Sequence, residues 1–389
     1  MKYGLIWVLA LLALWGGVVK VSAEEVSAPP AVEIERLGLD PFYEKYLSYR
    51  GFPIVASAKV SDFALKEASY LIGQMLSGRD DVIQAMIENK VRLSIMAPDE
   101  YTTDVPEHST LEPKAYWDKR ARGLGASRER PAVSVGEENL LGYRGDPYST
   151  ESIMIHEFAH AIHQMGLVEV DPAFQEKLEQ AYSRAGIAGL WKGKYAGTNP
   201  SEYWAEGVQS WFDTNRENDF EHNHVNTREE LKQHDGELAA LVESAFGNGE
   251  WRYLLPAKRE ESDHLMGYDP DRSPQFIWPE EMVTAYELLE RGDDKKELEL
   301  QKMDSFVYKD ATTKSGPSVK LRFENKTDQR LTVYWVGFDG LRRQYAVIDP
   351  GRKYEQGTYG GHLWVIVDES LKDFGWLRAA GEDCRVELK

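Results

Sequence analysis

Ile155-His156-Glu157-Phe158-Ala159-His160 is the stretch that most constrains the fold of this chain. Two histidines four positions apart lie on one face of an α-helix, so both imidazoles can bind one tetrahedral metal ion. Glu157 follows the first histidine, where its carboxylate can accept a proton from a water molecule at the metal. The pattern therefore predicts a helix that carries a Zn²⁺ site with His156 and His160 as ligands and Glu157 as general base.

The residues around this motif favour a helix. Ser149 or Thr150 can cap its start, and Gly166 can end it. Its apolar residues nearly surround the helix axis: Ile153, Met154, Phe158, Ala159, Ile162 and Met165. We therefore expect the histidines in a core where an unpaired polar group would be destabilising. The alternative interpretation is a pair of structural histidines on a buried helix.

A catalytic zinc needs a third protein ligand and an open position for water. His163 lies one turn further along the same helix, which favours a role in packing or in supporting the ligands. Glu202 and Glu206 lie on the polar side of a second amphipathic helix, 201–212, and one of them is expected to face the metal. Glu202 could instead close a capping box after Asn199, and Glu206 could be a solvated surface residue. The residues alone leave this choice open.

The segment Tyr195-Ala196-Gly197-Thr198-Asn199-Pro200-Ser201-Glu202-Tyr203-Trp204-Ala205-Glu206, together with the HExxH motif, resembles the anthrax lethal factor type of zincin metallopeptidases. The resemblance covers about residues 150–213. It implies that Glu202 is the third zinc ligand and that Tyr195 stabilises the transition state. It also implies that Glu206 supports the ligands from a second layer.

The first 23 residues have the pattern of a secretory signal peptide. Lys2 precedes an apolar run from Gly4 to Val19, and Val21-Ser22-Ala23 is a small-residue cleavage site. We expect cleavage after Ala23, a flexible leader over 24–37, and an extracellular or periplasmic protein that is not inserted in a membrane.

Composition excludes several classes of partner. The 389 residues carry 46 basic and 65 acidic side chains, a formal net charge of −19. Such an acidic balance argues against nucleic acids and anionic membrane surfaces. Cys384 is the single cysteine, so the chain has no internal disulfide and cannot use thiolates for a zinc site.

Apolar periodicity predicts the remaining elements of an N-terminal domain over 38–302. Helices are expected at 61–76, 80–87, 227–246 and 279–291, and strands at 91–96 and 132–135. A strand near a zinc helix can hold an extended peptide by backbone pairing, and 132–135 is the candidate edge. The segment 101–130 is expected to be a solvated loop, and His222, His224 and His234 to be exposed loop residues.

After about residue 303 the pattern changes to short strands separated by turns. Strands are expected at 319–323, 331–336, 344–348 and 362–367, which indicates a small β-sandwich over 303–389. The predicted fold class is therefore α+β: a mainly helical, zincin-like catalytic domain with a small sheet, followed by a β-sandwich.

The C-terminal segment resembles the β domain of the von Hippel-Lindau tumour suppressor over about 318–370. The matching residues are Phe323-Glu324-Asn325-Lys326-Thr327, Trp335, Phe338-Asp339-Gly340, Tyr345, Pro350-Gly351 and Thr358-Tyr359-Gly360-Gly361-His362-Leu363-Trp364. The resemblance implies recognition of 4-hydroxyproline in an extended peptide by Tyr345, Thr358, His362 and Trp364. Threonine replaces the serine of that family and keeps its hydroxyl. The other interpretation is that these aromatic residues only form the core of a sandwich.

These patterns together predict a secreted zinc metallopeptidase whose β module recognises proteins or peptides, including hydroxyproline-bearing ones. The alternative from another class is a non-catalytic hydroxyproline-peptide-binding protein with a structural zinc site. A closed fourth zinc ligand, such as His163, would favour that alternative. A zinc hydrolase acting on a non-peptide substrate is the third hypothesis.

Overall fold

The structure is a computed structural model that describes residues 25–260, 263–291, 296–302 and 316–389. The chain divides after Ile277 into two compact units. The predicted signal peptide, 1–23, lies outside the described residues. Helices surround a mixed sheet in the first unit, and strands dominate the second, which confirms the predicted α+β class.

The sheet of the first unit has the order β1-β2-β3-β5-β4. Its strands are Lys45–Tyr49 (β1), Phe52–Ala56 (β2), Arg92–Met96 (β3), Gly123–Leu124 (β4) and Ala132–Gly136 (β5). β2, β3 and β5 run parallel, and β1 and β4 pair antiparallel at the two ends. The parallel strands are buried throughout, as expected for strands covered on both faces.

The strand 132–135 was expected to be a substrate-binding edge, and this prediction is wrong. β5 pairs with β3 on one side and with β4 on the other. The short strand β4, from the segment expected to be a solvated loop, takes the end of the sheet instead.

The helices of the first unit pack around this sheet and carry most of its core. They are Ala31–Leu37 (α1), Asp62–Met75 (α2), Asp80–Glu88 (α3), Lys114–Arg120 (α4), Glu137–Leu141 (α5), Ile153–Ile162 (α6), Val168–Val170 (α7), Phe174–Ala188 (α8), Pro200–Trp211 (α9), Arg228–His234 (α10) and Gly236–Phe246 (α11). The expected leader is not unstructured: α1 lies within it, and Leu37 is buried in a cluster with Leu39 and Tyr43.

Both ends of α6 differ from the sequence prediction. Ser152, not Ser149 or Thr150, caps the helix, with its Oγ 3.3 Å from the backbone nitrogen of Ile155. Gly166 does not end the helix, which continues as a π-helical turn over His163–Leu167. A Cβ at Gly166 would lie 2.7 Å from Cγ1 of Val82, so this glycine permits close packing on α3.

Asparagine and aspartate caps set the starts of two later helices. Asn199 accepts from the backbone nitrogen of Glu202 at 3.0 Å, and Pro200 takes the first position of α9. The single helix expected over 227–246 is two helices, because Asp235 ends α10 and caps α11 through Leu238.

The second unit contains a helix, Glu280–Arg291 (α12), and a β-sandwich. Its strands are Lys296–Glu297 (β6), Ser318–Asn325 (β7), Leu331–Val336 (β8), Arg342–Ile348 (β9), Lys353–Tyr359 (β10), Leu363–Val367 (β11), Asp373–Arg378 (β12) and Cys384–Leu388 (β13). The two sheets have the orders β10-β7-β13-β6 and β12-β11-β8-β9. Phe323, Val333 and Trp364 from both sheets share one core, as the β-sandwich prediction requires.

The division after Ile277 precedes the boundary that the sequence analysis placed near residue 303. β6 pairs in parallel with β13, which ties residues before 303 to the C-terminal strand. In the described residues, we find no helix with the length and apolar character needed to cross a membrane.

Candidate functional site

Helices α6 and α9 bring three donor atoms together in the first unit. Nε2 of His156 lies 3.2 Å from Nε2 of His160 and 3.1 Å from Oε2 of Glu202. Nε2 of His160 lies 3.4 Å from the same carboxylate oxygen. Among the described residues, these three form the single group of potential metal ligands whose donor atoms lie within 4.8 Å of one another.

This triangle has the dimensions of a tetrahedral zinc site. Zinc bonds of about 2.0–2.2 Å at tetrahedral angles separate neighbouring ligand atoms by roughly 3.3–3.6 Å. The measured separations are 3.1 to 3.4 Å. The set of two imidazoles and one carboxylate is also a common zinc donor set. The residues present therefore fit the ion that the sequence predicts.

The charges in the triangle also favour a cation. Burial alone would lower the pKa of His156, but its hydrogen bond to Glu202 and the nearby carboxylates raise that pKa to about 10. Burial would raise the pKa of Glu202, and the same two imidazoles lower it instead. The surrounding carboxylates thus favour a positive charge at this position, which a bound metal ion would supply.

The far side of His156 is fixed by residues that the sequence analysis did not assign to the site. Its Nδ1 lies 2.7 Å from Oε1 of Gln209. The amide nitrogen of Gln209 donates in turn to Oε2 of Glu151 at 3.0 Å. All three side chains are buried. Because Gln209 accepts from Nδ1, the lone pair of Nε2 is left to face the other ligands.

Glu206 lies behind the triangle and contacts two histidines. Its Oε1 is 3.6 Å from Nδ1 of His156, and its Oε2 is 3.3 Å from Nε2 of His222. Asn215 donates to the same Oε2 at 2.9 Å, and Asp219 lies 2.9 Å from Nδ1 of His222. Glu206 is therefore a buried, fully engaged carboxylate.

The expectation of exposed loop histidines is wrong for two of the three residues. His222 is 5% exposed, and its flanking carboxylates raise its pKa against the effect of burial. His234 is partly buried, with Nε2 2.9 Å from the carbonyl oxygen of Leu190. His224 is exposed, as expected.

Of the two roles that the sequence analysis gave for His163, packing or support of the ligands, the contacts of this side chain fit packing. It begins the π-helical turn, and its Nε2 lies 2.8 Å from Oε1 of Gln175 on α8. Its ring lies 5.6 Å from that of Phe174.

β4 lies unusually close to the metal-site helix. A Cβ at Gly123 would lie 2.4 Å from Cγ2 of Ile153 and 3.0 Å from Cγ of Glu157. A Cβ at Gly125 would lie 2.9 Å from Cβ of His160. These two glycines let an edge strand run directly beside the half-buried Glu157.

Tyr195 lies near two histidines of the site. Its ring centroid is 6.3 Å from that of His156 and 6.4 Å from that of His222. Burial and the negative charge of Glu202 raise the pKa of Tyr195, so the phenol keeps its proton at neutral pH. Arg120 lines the same cavity as Tyr195.

One cavity of about 580 Å³ joins these features. Its walls include the three proposed ligands, Glu157 and Tyr195, as well as residues 120–127. The segment 101–130 is therefore more than a solvated loop, because its C-terminal part forms one wall of the cavity. This part of the chain lies close to α6 because of tertiary packing. In the sequence, only the Gly123-Leu124-Gly125 pattern indicates that contact.

The second unit brings together the four residues that the second resemblance singled out. Oγ1 of Thr358 accepts from Nε1 of Trp364 at 3.2 Å and lies 3.2 Å from Nδ1 of His362. The ring of Tyr345 contacts that of Trp364 edge to face, at 5.1 Å. Thr358, His362 and Trp364 are buried, and Tyr345 is 47% exposed.

Further aromatic rings extend this cluster to the surface. Trp335 stacks on His362 at 5.2 Å, and Phe338 meets the same imidazole edge to face at 5.8 Å. Phe338 is 58% exposed and Tyr359 is 48% exposed. The arrangement is an aromatic surface with a hydroxyl and an imidazole at its base.

Comparison with known proteins identifies part of the second unit. The family model of the VHL beta domain matches residues 309–377. The chain therefore contains a VHL-like β domain, a type of module that indicates a protein partner. No curated protein matches the chain.

Proposed function

We propose that the first unit is a zinc-dependent peptidase and that the VHL-like β domain recognises hydroxyproline-bearing proteins. The observation that carries the first half is the open triangle of His156, His160 and Glu202 at the wall of a 580 Å³ cavity. Three protein ligands beside open space are typical of catalytic zinc, whereas structural zinc sites are closed by four.

Zinc held by this triangle would polarise a scissile carbonyl and lower the pKa of a water molecule. Gln209 and Glu151 keep His156 in the tautomer that a metal ligand needs. Glu206 is engaged by Asn215 and His222, so it holds negative charge behind the ligands without competing as a ligand.

The other residues of the cavity have complementary roles in peptide hydrolysis. Glu157 would accept the proton of the attacking water and pass it to the leaving amine as the C–N bond breaks. Tyr195 keeps its proton and can donate it in a hydrogen bond to the developing negative charge on the carbonyl oxygen. The end strand β4 can hold the substrate in an extended conformation by backbone pairing.

The contacts around Thr358 support the second half of the proposal. A pyrrolidine ring can pack on Tyr345 and the neighbouring aromatic rings, while a hydroxyl on that ring reaches Thr358 and His362. A site that pairs with a substrate hydroxyl disfavours the analogue without it. We also propose secretion, which rests on the N-terminal signal pattern.

The non-catalytic alternative, a hydroxyproline-binding protein with a structural zinc, draws its support from the VHL-like match. The expected fourth ligand for such a site, His163, faces Gln175 instead. This orientation favours the catalytic proposal over the structural one.

A comparison of wild type with Glu157→Gln tests both halves. Zinc content and cleavage of matched peptide libraries, with and without hydroxyproline, would be measured for each protein. We expect equal zinc content, cleavage by wild type alone, and faster cleavage of hydroxylated peptides. Cleavage that persists in Glu157→Gln would refute the general-base role, and hydroxyproline binding without cleavage would establish the non-catalytic alternative.

A further inference from the structure

Three arginines line the cavity, and two of them are neutralised by nearby carboxylates. Arg122 is buried, with Nε 2.6 Å from Oε1 of Glu138. Arg216 has Nε 3.1 Å from Oε1 of Glu151 and Nη2 2.8 Å from Oε2 of Glu221. These two guanidinium groups therefore stabilise the walls and have little charge left for a ligand.

Arg120 is different. It is the exposed last residue of α4, and within the described part of the chain it forms no ion pair with a carboxylate. The phenols of Tyr116, Tyr148 and Tyr195 lie near its guanidinium, and Tyr148 and Tyr195 line the same cavity. A full positive charge thus faces the cavity beside Tyr195.

Four of the five glutamates that line the cavity have other partners, and among the described residues no ion pair joins the fifth, Glu157, to Arg120. Glu202 contacts the two histidines, Glu206 accepts from Asn215, and Glu221 pairs with Arg216. An unpaired guanidinium is a strong site for an incoming carboxylate, because its planar fork matches the two carboxylate oxygens. The chain carries a net charge of −19, so an arginine without a carboxylate partner at the cavity is unusual for its composition.

We propose that Arg120 binds a carboxylate of the substrate, so that the site selects peptides with a negative charge close to the scissile bond. This inference rests on the proposed function, because it takes a peptide as the occupant of the cavity. The carboxylate has two sources, an aspartate or glutamate side chain and a free C-terminus. Arg120 and Tyr195 line the same cavity, so we expect the charge to be recognised close to the bond that is cleaved.

Binding, rather than turnover, tests this inference. Fluorescent peptides would be titrated into zinc-loaded Glu157→Gln protein: one with an internal aspartate and an amidated C-terminus, its asparagine counterpart, and the asparagine peptide with a free C-terminus. We expect one or both carboxylate peptides to bind about tenfold more tightly than the uncharged amide, and the difference to shrink as salt is added. The two carboxylate peptides distinguish the side chain from the C-terminus as the source.

Variants at Arg120, made in the same background, separate charge recognition from other roles. Arg120→Gln should abolish the preference, Arg120→Lys should keep part of it, and Tyr195→Phe should keep all of it. Arg128→Gln is the matched control, since Arg128 pairs with Glu169 and does not line the cavity. Circular dichroism would establish that each variant is folded.

Three results would overturn the inference. The first is equal binding of charged and amide peptides by the Glu157→Gln protein. The second is a preference for charged peptides that persists when Arg120→Gln is added. The third is a loss of affinity in Arg120→Gln that is the same for every peptide. The last result would mean that Arg120 only orients Tyr195. Selective binding together with a wild type that cleaves no peptide would refute the peptidase proposal and leave the role of Arg120 standing.

Discussion

Gln209 holds His156 from behind, with its Oε1 2.7 Å from Nδ1 of that histidine. The two residues are 53 positions apart in the chain, one on α6 and the other on α9, so their contact depends on tertiary packing. The contact fixes which ring nitrogen carries the proton and therefore which one faces the proposed metal.

Gln209→Ala should weaken zinc binding by about 10- to 100-fold, because His156 loses its tautomer and its orientation. Competition with a chelating dye would measure this affinity. Gln175→Ala is the matched control, since Gln175 contacts His163 outside the triangle. Unchanged affinity in Gln209→Ala, with normal folding, would show that the contact does not position the ligand.

Zinc should stabilise the first unit against unfolding. The ion would bind the folded triangle and not the separated ligands, so zinc at 100 times its Kd should raise the free energy of unfolding by ~2.7 kcal/mol. Denaturant titrations with and without chelator would measure the shift. His163→Ala should retain this shift and His160→Ala should lose it; the same shift in His160→Ala would place the bound zinc elsewhere.

The two glycines beside α6 should be intolerant of a methyl group. Gly123→Ala should lower stability by roughly 1–3 kcal/mol, because the new Cβ would lie 2.4 Å from Ile153 and 2.9 Å from the backbone oxygen of Ser134. Gly125→Ala should press on His160 and also lower zinc affinity.

Gly186→Ala is the matched control for this prediction. Gly186 lies within α8, where a Cβ would meet nothing within 4 Å. Alanine there should raise stability by up to about 1 kcal/mol through helix propensity. A Gly123→Ala protein as stable as wild type in thermal and denaturant melts would disprove the close approach of β4.

The helix α6 could be predicted from sequence because its information is local. His156, Glu157 and His160 share one helical face, and Asn199 and Pro200 mark the start of the second helix. Glu202 could be chosen over Glu206 only through a resemblance, because the residues on that helix left both open. Gln209, His222 and Arg120 were missed as site residues, since each reaches the cavity through packing of elements distant in the chain.

The β-sandwich shows the same limit of prediction from sequence. β8 and β11 are apolar enough to be recognised, whereas β10, Lys353–Tyr359, is mostly polar and partly exposed. It becomes a strand because it pairs in register with β7, whose alternate residues are buried. Periodicity detects such an edge strand poorly, since only one face of it touches the core.

Stability should also depend on the protonation of Glu137. Burial raises the pKa of this carboxyl from 4.5 to about 7, against the opposing hydrogen bond from the backbone of Ser61. Between those two pH values the folded protein binds more protons than the unfolded chain, so stability should fall as pH rises from about 4.5 to 7. The loss should be on the order of 3 kcal/mol.

Glu137→Gln should remove this part of the pH dependence, because the amide can still accept from Ser61 and cannot ionise. Denaturant melts at a series of pH values would compare the two proteins. Glu107→Gln is not a suitable control, since Glu107 pairs with Arg92, whereas the exposed Glu229→Gln should leave the slope unchanged. Identical slopes in wild type and Glu137→Gln would contradict the prediction.

Thr358 should decide whether the β domain distinguishes hydroxyproline from proline. Thr358→Val removes the hydroxyl while keeping the shape of the side chain, so the full-length protein should lose most of its preference for hydroxylated peptides. It should also lose roughly 1–3 kcal/mol of stability, because the buried Nε1 of Trp364 loses its acceptor. Thr358→Ser keeps the hydroxyl and should retain both properties.

Peptide titrations by fluorescence anisotropy, paired with thermal melts, separate these two effects. If Thr358→Val melts below wild type but keeps its full preference for hydroxyproline, the hydroxyl is structural and the aromatic surface alone binds the peptide. If wild type binds proline and hydroxyproline peptides equally, Thr358, His362 and Trp364 form only a polar contact within the sandwich core. A preference that follows the hydroxyl from threonine to serine, and disappears with valine, assigns recognition to this one oxygen atom.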